Sequence, residues 1–181
     1  QTSLTNLYGD WSVDASGNVT YEPFLNFNGV ASITYTVRDV AGDNSNIATY
    51  EITVLSVNDA PVASDDFATT DEDTPVTTAD ILANDSDVEE TLQYTSIDLD
   101  ENTSGIQTFV STAEGTWTLN TADGTVTFSP AQDFNGIATI LYEVCDTEAL
   151  AQCGVAYINI EVNAVNDAPI AFDDFGSTDE D

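Results

Sequence analysis

The residues of this sequence that could do chemistry are its carboxylates. Among 181 residues there are 33 Asp plus Glu, one basic residue, Arg38, and no His. The acids gather in short clusters with amide neighbours: Asn58-Asp59, Asp71-Glu72-Asp73 and Asn84-Asp85-Ser86-Asp87-Val88-Glu89-Glu90. General acid–base catalysis by a carboxylate pair needs a cleft whose aromatic and basic neighbours push the two pKa values apart, and basic neighbours are nearly missing here. Nucleophilic triads require a His or Lys base and a phosphate loop requires Lys in a Gly-rich turn. With neither His nor Lys, the expectation is that the protein is no enzyme. Calcium fits better. It takes roughly six to eight oxygens from carboxylates, Asn side chains and backbone carbonyls, and Asp-x-Asp spacings let alternate side chains of an extended segment converge on one ion.

A formal charge of −32 disfavours a compact state through self-repulsion unless cations neutralise it, and it makes nucleic acid and anionic membranes poor partners. Charge this high can mark disorder. Here 41% of residues are hydrophobic, and Val, Ile, Thr, Tyr and Phe recur in the short alternating runs of a folded β protein. No apolar run approaches the roughly 18 residues of a membrane span, so membrane insertion is not expected. Gln1 opens no signal peptide, and the chain reads as an internal piece of something longer.

Positioning these acids falls to strands and turns, and their arrangement emerges when the sequence is compared with itself. Val57-Asn58-Asp59-Ala60-Pro61-Val62-Ala63 returns as Val165-Asn166-Asp167-Ala168-Pro169-Ile170-Ala171, an offset of 108 residues. Trp11, Tyr21, Pro23, Phe27-Asn28-Gly29, Tyr35, Val37 and Asp39 are echoed by Trp117, Phe128, Pro130, Phe134-Asn135-Gly136, Tyr142, Val144 and Asp146. The domains expected are therefore the C-terminal half of one repeat over 1–57, one complete repeat over 58–165, and the N-terminal strand of the next over 166–181. Residues 1–57 lack the opening strands of their own unit, and two readings stand: strands borrowed from a neighbour, or a cut through a longer array.

Within the complete repeat the pattern predicts strands over 91–97, 106–110, 115–119, 124–128, 137–145 and 154–163, with Asp123-Gly124 supplying a turn. Ala156, Ile158, Ile160 and Val162 alternate with Tyr157, Asn159 and Glu161, the period-two pattern of a half-buried strand. Ala48, Tyr50, Ile52 and Val54 repeat it in the first copy. Trp11 and Trp117 hold equivalent repeat positions ahead of a strand, which favours packing over a sugar-stacking platform. Phe-Asn-Gly in each copy reads as a corner, with Gly free to take positive φ. Cys145 and Cys153 lie eight apart between strand-like segments, a spacing that suits a hairpin-end disulfide, with free buried thiols as the alternative; an oxidising compartment outside the cell follows from the disulfide. Asp98-Leu99-Asp100-Glu101-Asn102 begins like an EF-hand loop, but Thr103 stands where Gly is required and Phe109 where Glu is, so it reads as a polar loop.

The linker Val-Asn-Asp-Ala-Pro at 57–61 and 165–169, Thr-Asp-Glu-Asp-Thr-Pro-Val at 70–76, Leu-Ala-Asn-Asp-Ser-Asp-Val-Glu at 82–89, and Tyr-x-Val-x-Asp at 35–39 and 142–146 together carry a resemblance over the whole chain. It resembles the bacterial cadherin-like, immunoglobulin-like tandem repeats of large secreted surface adhesins. That resemblance implies an all-β fold of β-sandwich repeats arranged end to end, at the bacterial cell surface, stiffened by Ca2+ in support of adhesion or of a surface filament. In cadherins, which these repeats resemble, calcium lies between successive domains, held by the linker Asn-Asp, a Glu ending the first strand and an Asp-x-Asp loop. Carried over, Asp85 and Asp87 would meet Asn58 and Asp59, and Glu72 would point to Asn166 and Asp167. Asp39 and Asp146 match the Asp before the final strand. The sequence departs from cadherins in lacking their Asp-Arg-Glu motif and the extra linker Asn, which implies fewer or weaker ions. Asp65-Asp66 and Asp173-Asp174 either supply the missing oxygens or are solvated strand ends.

The partners expected are neighbouring repeats, with surface glycan or protein engaged through other domains. Three alternatives stay open: a spacer or carbohydrate-binding module of a secreted enzyme, a halophilic surface without specific metal sites, and a filament subunit completed by a neighbour.

Overall fold

The computed structural model describes residues 2–148 and 150–181. Its elements are strands, apart from one short 3-10 turn, and the chain divides into two units between Asp59 and Ala60.

In the first unit β1 (Ser3–Thr5), β2 (Gly9–Val13) and β3 (Val19–Pro23) form an antiparallel sheet in that order, and β4 (Gly29–Tyr35) pairs with β5 (Ala48–Val54) as a hairpin. In the second, β6 (Asp66–Asp71), β7 (Val76–Asp80), β8 (Phe109–Ser111), β9 (Gly115–Asn120), β10 (Thr125–Pro130), β11 (Gly136–Cys145) and β12 (Cys153–Asn163) make two sheets. One is antiparallel in the order β7-β10-β9-β8; the other runs β11-β12-β6, with β6 parallel to β12. Their inner faces close on one core. Trp117 and Leu119 come from β9, Val126 and Phe128 from β10, Ala138, Ile140, Tyr142 and Val144 from β11, and Ala156, Ile158, Ile160 and Val162 from β12. Each large apolar side chain in such a core contributes about 1.5–3 kcal/mol relative to exposure.

The repeat seen in the sequence is a repeat of packing. Trp11 lies over Tyr21 with ring centroids 4.3 Å apart, and Trp117 over Phe128 at the same 4.3 Å. Both indoles are buried, as expected of packing residues. Gly9 and Gly115 make room for these pairs, because a Cβ would lie 2.7 Å from the Tyr21 ring in one and 2.8 Å from the Phe128 ring in the other. The predicted alternation along β12 is observed, with Ile158 and Ile160 inaccessible, Tyr157 and Glu161 exposed and Asn159 half-buried. Along β5 it is weaker: Ile52 and Val54 are half-buried and Tyr50 is 40% exposed. A cleft of about 450 Å³ in the first unit is lined by Trp11 and Val19 from one sheet and Ile33, Tyr35 and Tyr50 from the other.

Two predicted elements differ. Residues 91–97 form no strand; Tyr94–Ser96 is a 3-10 turn, because Tyr94 turns its hydroxyl onto Asp80 Oδ2 at 2.8 Å and the segment has no strand partner. The strand expected over 106–110 is reduced to Phe109–Ser111, since Gln107 donates its backbone N–H to Asp98 Oδ1 at 3.0 Å and closes a loop instead. Residues 166–181 form no strand among the described residues. Their equivalents in β6 are strand by pairing with β12, ninety-odd residues further along the chain.

Cys145 and Cys153 form the expected disulfide across the β11–β12 hairpin end. Chain-entropy arguments give closure of so short a loop roughly 2–3 kcal/mol. The Cys145→Ser, Cys153→Ser double variant should therefore lose no more than about that much in urea unfolding and keep the fold, because the paired strands continue for nine further residue pairs.

Candidate metal centre

Acidic residues from three separate segments meet at one end of the second unit. Glu72 and Asp73 form the turn that ends β6, Asp133 lies in the turn between β10 and β11, and Asp167 lies on the chain leaving β12. Carboxylate oxygens of Asp73, Asp133 and Asp167 lie within 4.8 Å of one another. Asp73 and Asp133 both take left-handed backbone, each with φ of 59°, a region that Asp and Asn tolerate better than other side chains. The Asp133 N–H donates to Asp73 Oδ1 at 3.1 Å, which pins the two turns together.

Glu72 is the anchor. It is only 7% exposed; one carboxylate oxygen accepts the backbone N–H of Val165, and the other accepts from Asn135 Nδ2 at 3.4 Å. Its own N–H donates to Asn163 O at 2.8 Å. The end of β6 is thereby tied to the outgoing chain at Asn163 and Val165, just ahead of Asn166-Asp167. Burial, then the charges of Asp133, Glu72 and Asp73, push the Asp167 carboxyl above its ordinary range. A site made only of oxygens, exposed at its mouth and without a basic residue from this unit, suits a hard divalent cation such as Ca2+. Asn166 places its amide on Asp167 O at 3.1 Å.

A second acidic group surrounds the Tyr142 hydroxyl at Asp66 and Asp85. Tyr142 donates to Asp85 Oδ2 at 2.9 Å, and Ser64 N–H donates to Asp85 Oδ1 at 2.8 Å. Burial first, and then the charge of Asp85, push Asp66 up to about 6. Burial likewise raises Asp85. Asp66 Oδ2 is buried without a hydrogen-bond partner, and so is Asp87 Oδ2, while Asp87 Oδ1 accepts the N–H groups of Glu89 and Glu90. Asn58 and Asp59 belong to the first unit.

Asp39 and Asp146 do different work. Asp39 Oδ1 accepts the N–H groups of Ala41, Gly42 and Asp43 at 2.8–2.9 Å, and these bonds, that of Asp43 foremost, hold its carboxyl below the ordinary range. Asp146 is buried and accepts from Glu148 N–H at 3.2 Å and Gln152 N–H at 3.0 Å. Both carboxylates organise the loop between the last two strands of their copy. Asp98 does the same for the polar loop, accepting from Asp100 and Gln107 N–H.

Asp73 and Asp133 are the members that ligand assignment from sequence left out. Asp73 sits within a cluster already noted. Asp133 had a subtler signal: Asn26 stands at the same place in the first copy, ahead of Phe-Asn-Gly, also left-handed at φ 61°.

A two-sheet sandwich whose first strand runs parallel to its last, with acids gathered where the chain leaves it, defines the class of cadherin-like, immunoglobulin-like repeat domains. The chain belongs to the bacterial Ig domain family, whose model matches residues 1–53 and 58–159. Among solved structures it is similar in fold to mouse cadherin-23 EC22-24, at 19% identity and a TM-score of 0.58 over 90% of this chain and 52% of that one. Protocadherin gamma C5 EC1-3 follows at 18% identity and a TM-score of 0.56, over 89% of this chain and 55% of that one. Human CDH23 EC21-23 gives 16% and 0.51, over 84% and 54%. The chain thus spans about half the length of these structures. A search of curated proteins finds no sequence match. No helix among the described residues is long and apolar enough to cross a membrane.

Proposed function

We propose that this chain is a structural section of an extracellular bacterial adhesin or surface filament, a rod of repeats whose junctions are stiffened by Ca2+. The observation that carries the reading is the meeting of Asp73, Asp133 and Asp167 within 4.8 Å, backed by buried Glu72 holding the outgoing chain. An ion there takes oxygens from the β6 turn, the β10–β11 turn and the linker at once, and so removes rotational freedom where one repeat hands over to the next. Its ligands are Glu72, Asp73, Asp133 and Asp167, with Asn166 beside them. Asp85 and Asp87 are assigned to a further ion of the second unit, supported by the orphaned Asp87 oxygen. Asp39 and Asp146 are left out because each organises its own loop, Asp39 through Oδ1 and Asp146 through both oxygens, and neither belongs to the group of Asp73, Asp133 and Asp167. The work is mechanical: it holds a distal binding region, in another part of the protein, away from the cell.

Thermal unfolding in millimolar calcium, in EDTA, and in EDTA with NaCl of matched ionic strength tests this. A ligand at about 100 times its Kd adds roughly 2.7 kcal/mol, or about ten degrees in midpoint for a unit of this size. Calcium should raise the midpoint where sodium does not, and Asp133→Asn, which keeps the left-handed turn, should remove most of the difference. Equal stabilisation by NaCl would make the acids a halophilic surface instead.

A further inference from the structure

Three asparagines begin an Asn-x-Ser/Thr triplet, the acceptor pattern for N-linked glycans: Asn18, Asn84 and Asn102. The structure separates them. Asn18 donates its amide to Asp14 Oδ2 at 2.7 Å, and Val19 and Thr20 are already paired in β3 against β2. Asn84 donates to Ser64 O and Asp65 O, Asp85 is held by Ser64 and Tyr142, and Ser86 is bridged to Val62. Neither triplet can be drawn out without breaking strand pairing or an acidic cluster.

Asn102 is unlike both. It lies in the run 101–106, exposed throughout, and among the described residues its carboxamide makes no hydrogen bond. Gly105, at φ 89°, has open space where a Cβ would be. The base of the loop is firm, because Leu99 and Asp98 are buried, while the tip is held only by its own turn. Thr103 N–H donates to Asp100 O at 3.0 Å, and Asp100 carboxylate oxygens accept from Asn102 N–H at 3.2 Å and Thr103 Oγ1 at 2.6 Å. These bonds can open without disturbing the core. The position two before the acceptor is Ser16 for Asn18 and Leu82 for Asn84, but Asp100 for Asn102. A carboxylate there is what the extended acceptor of bacterial oligosaccharyltransferases carries, and Asp100-Glu101-Asn102-Thr103-Ser104 fits it at every position.

We propose that Asn102 is an N-glycosylation site, modified after export by transfer of an oligosaccharide from a polyprenyl pyrophosphate donor. The carboxamide nitrogen attacks the anomeric carbon of the first sugar; a C–N bond forms, the C–O bond to pyrophosphate breaks, the nitrogen loses one proton, and polyprenyl pyrophosphate leaves. The site depends on export of the chain and is independent of whether any carboxylate binds calcium. A hydrophilic glycan here would shield the 98–107 loop from proteases and neighbouring rods.

The test is expression of the full chain with an export leader, in a bacterial periplasm holding an oligosaccharyltransferase that needs the acidic position and its lipid-linked oligosaccharide, read by intact mass and peptide mapping. The expected result is a single glycan on the Asn102 peptide, abolished by Asn102→Gln and by Asp100→Ala, and retained in Asn18→Gln and Asn84→Gln. Unchanged melting of the Asp100→Ala and Asn102→Gln proteins shows that loss of glycan is not loss of fold. A glycan on Asn18 or Asn84 instead, an unaltered yield in Asp100→Ala, or an unmodified chain in cells where a control acceptor is modified would each overturn the proposal.

Discussion

Replacing Trp117 with Ala should lower the stability of the second unit by about 3–5 kcal/mol, the usual cost of emptying a buried aromatic site. Trp117 is fully buried and packs on Phe128, its partner across the β9–β10 pair. Both sheets lean on it. Domains of this size have only about 5–15 kcal/mol in total, so the midpoint should fall by about 10–20 degrees at fixed calcium. Trp117→Phe is the informative companion. The indole N–H is buried without a hydrogen-bond partner, and an unsatisfied donor costs about 1–3 kcal/mol, so the smaller ring gives up volume but also removes that penalty. Its loss should be far below that of Ala. If the two variants melt together, the ring is not packed as described.

The second large effect is on pH dependence. Asp66 is half-buried beside Asp85, with one oxygen orphaned, and burial and that neighbouring charge push it up to about 6 from 3.8. A carboxyl raised in the folded state binds its proton more tightly there than in the unfolded chain. The penalty is absent below about 3.8, grows as pH rises through about 6, and is complete above that. Lowering the pH from neutral should therefore stabilise the second unit until general protonation intervenes. Asp66→Asn isolates this one group from the rest of the charge. In EDTA it should melt above the parent at neutral pH, with the gap closing as the buffer is made acidic. A gap that does not change with pH would show that Asp66 ionises freely in the fold. Tyr142 stays protonated throughout, since burial and then the Asp85 charge raise it further, so it remains a donor to Asp85.

Much of the fold was legible because its causes are local. Side chains that alternate in and out leave a period of two, and so β9, β10, β11 and β12 were placed within a residue or two of their observed ends. Asp123-Gly124 marked its turn because Gly124, at φ 71°, sits where a Cβ would strike Asp80 and Tyr94. Cys145 and Cys153 paired across a hairpin that could be counted out on the chain. The tandem copies exposed the indole positions without any knowledge of what the indoles touch. Residues 91–97 misled because Tyr and Thr favour strands only when a partner strand is available, and Tyr94 found Asp80 instead.

What the sequence determined by itself, then, was the class of elements, the repeat, the core-facing positions and the chemistry its acids could offer. That Asp73 and Asp133 meet Asp167 was decided by the tertiary structure. Asp133 donates its backbone N–H to Asp73, sixty residues away, only because β6 runs parallel to β12 and delivers its end beside the β10–β11 turn. Tyr142 reaches Asp85, 57 residues away, by the same closure of two sheets on one core. Side-chain periodicity acts between near neighbours and records nothing about which distant turns arrive at the same end of a sandwich. That depends on strand order, and strand order is set when the whole apolar interior packs at once.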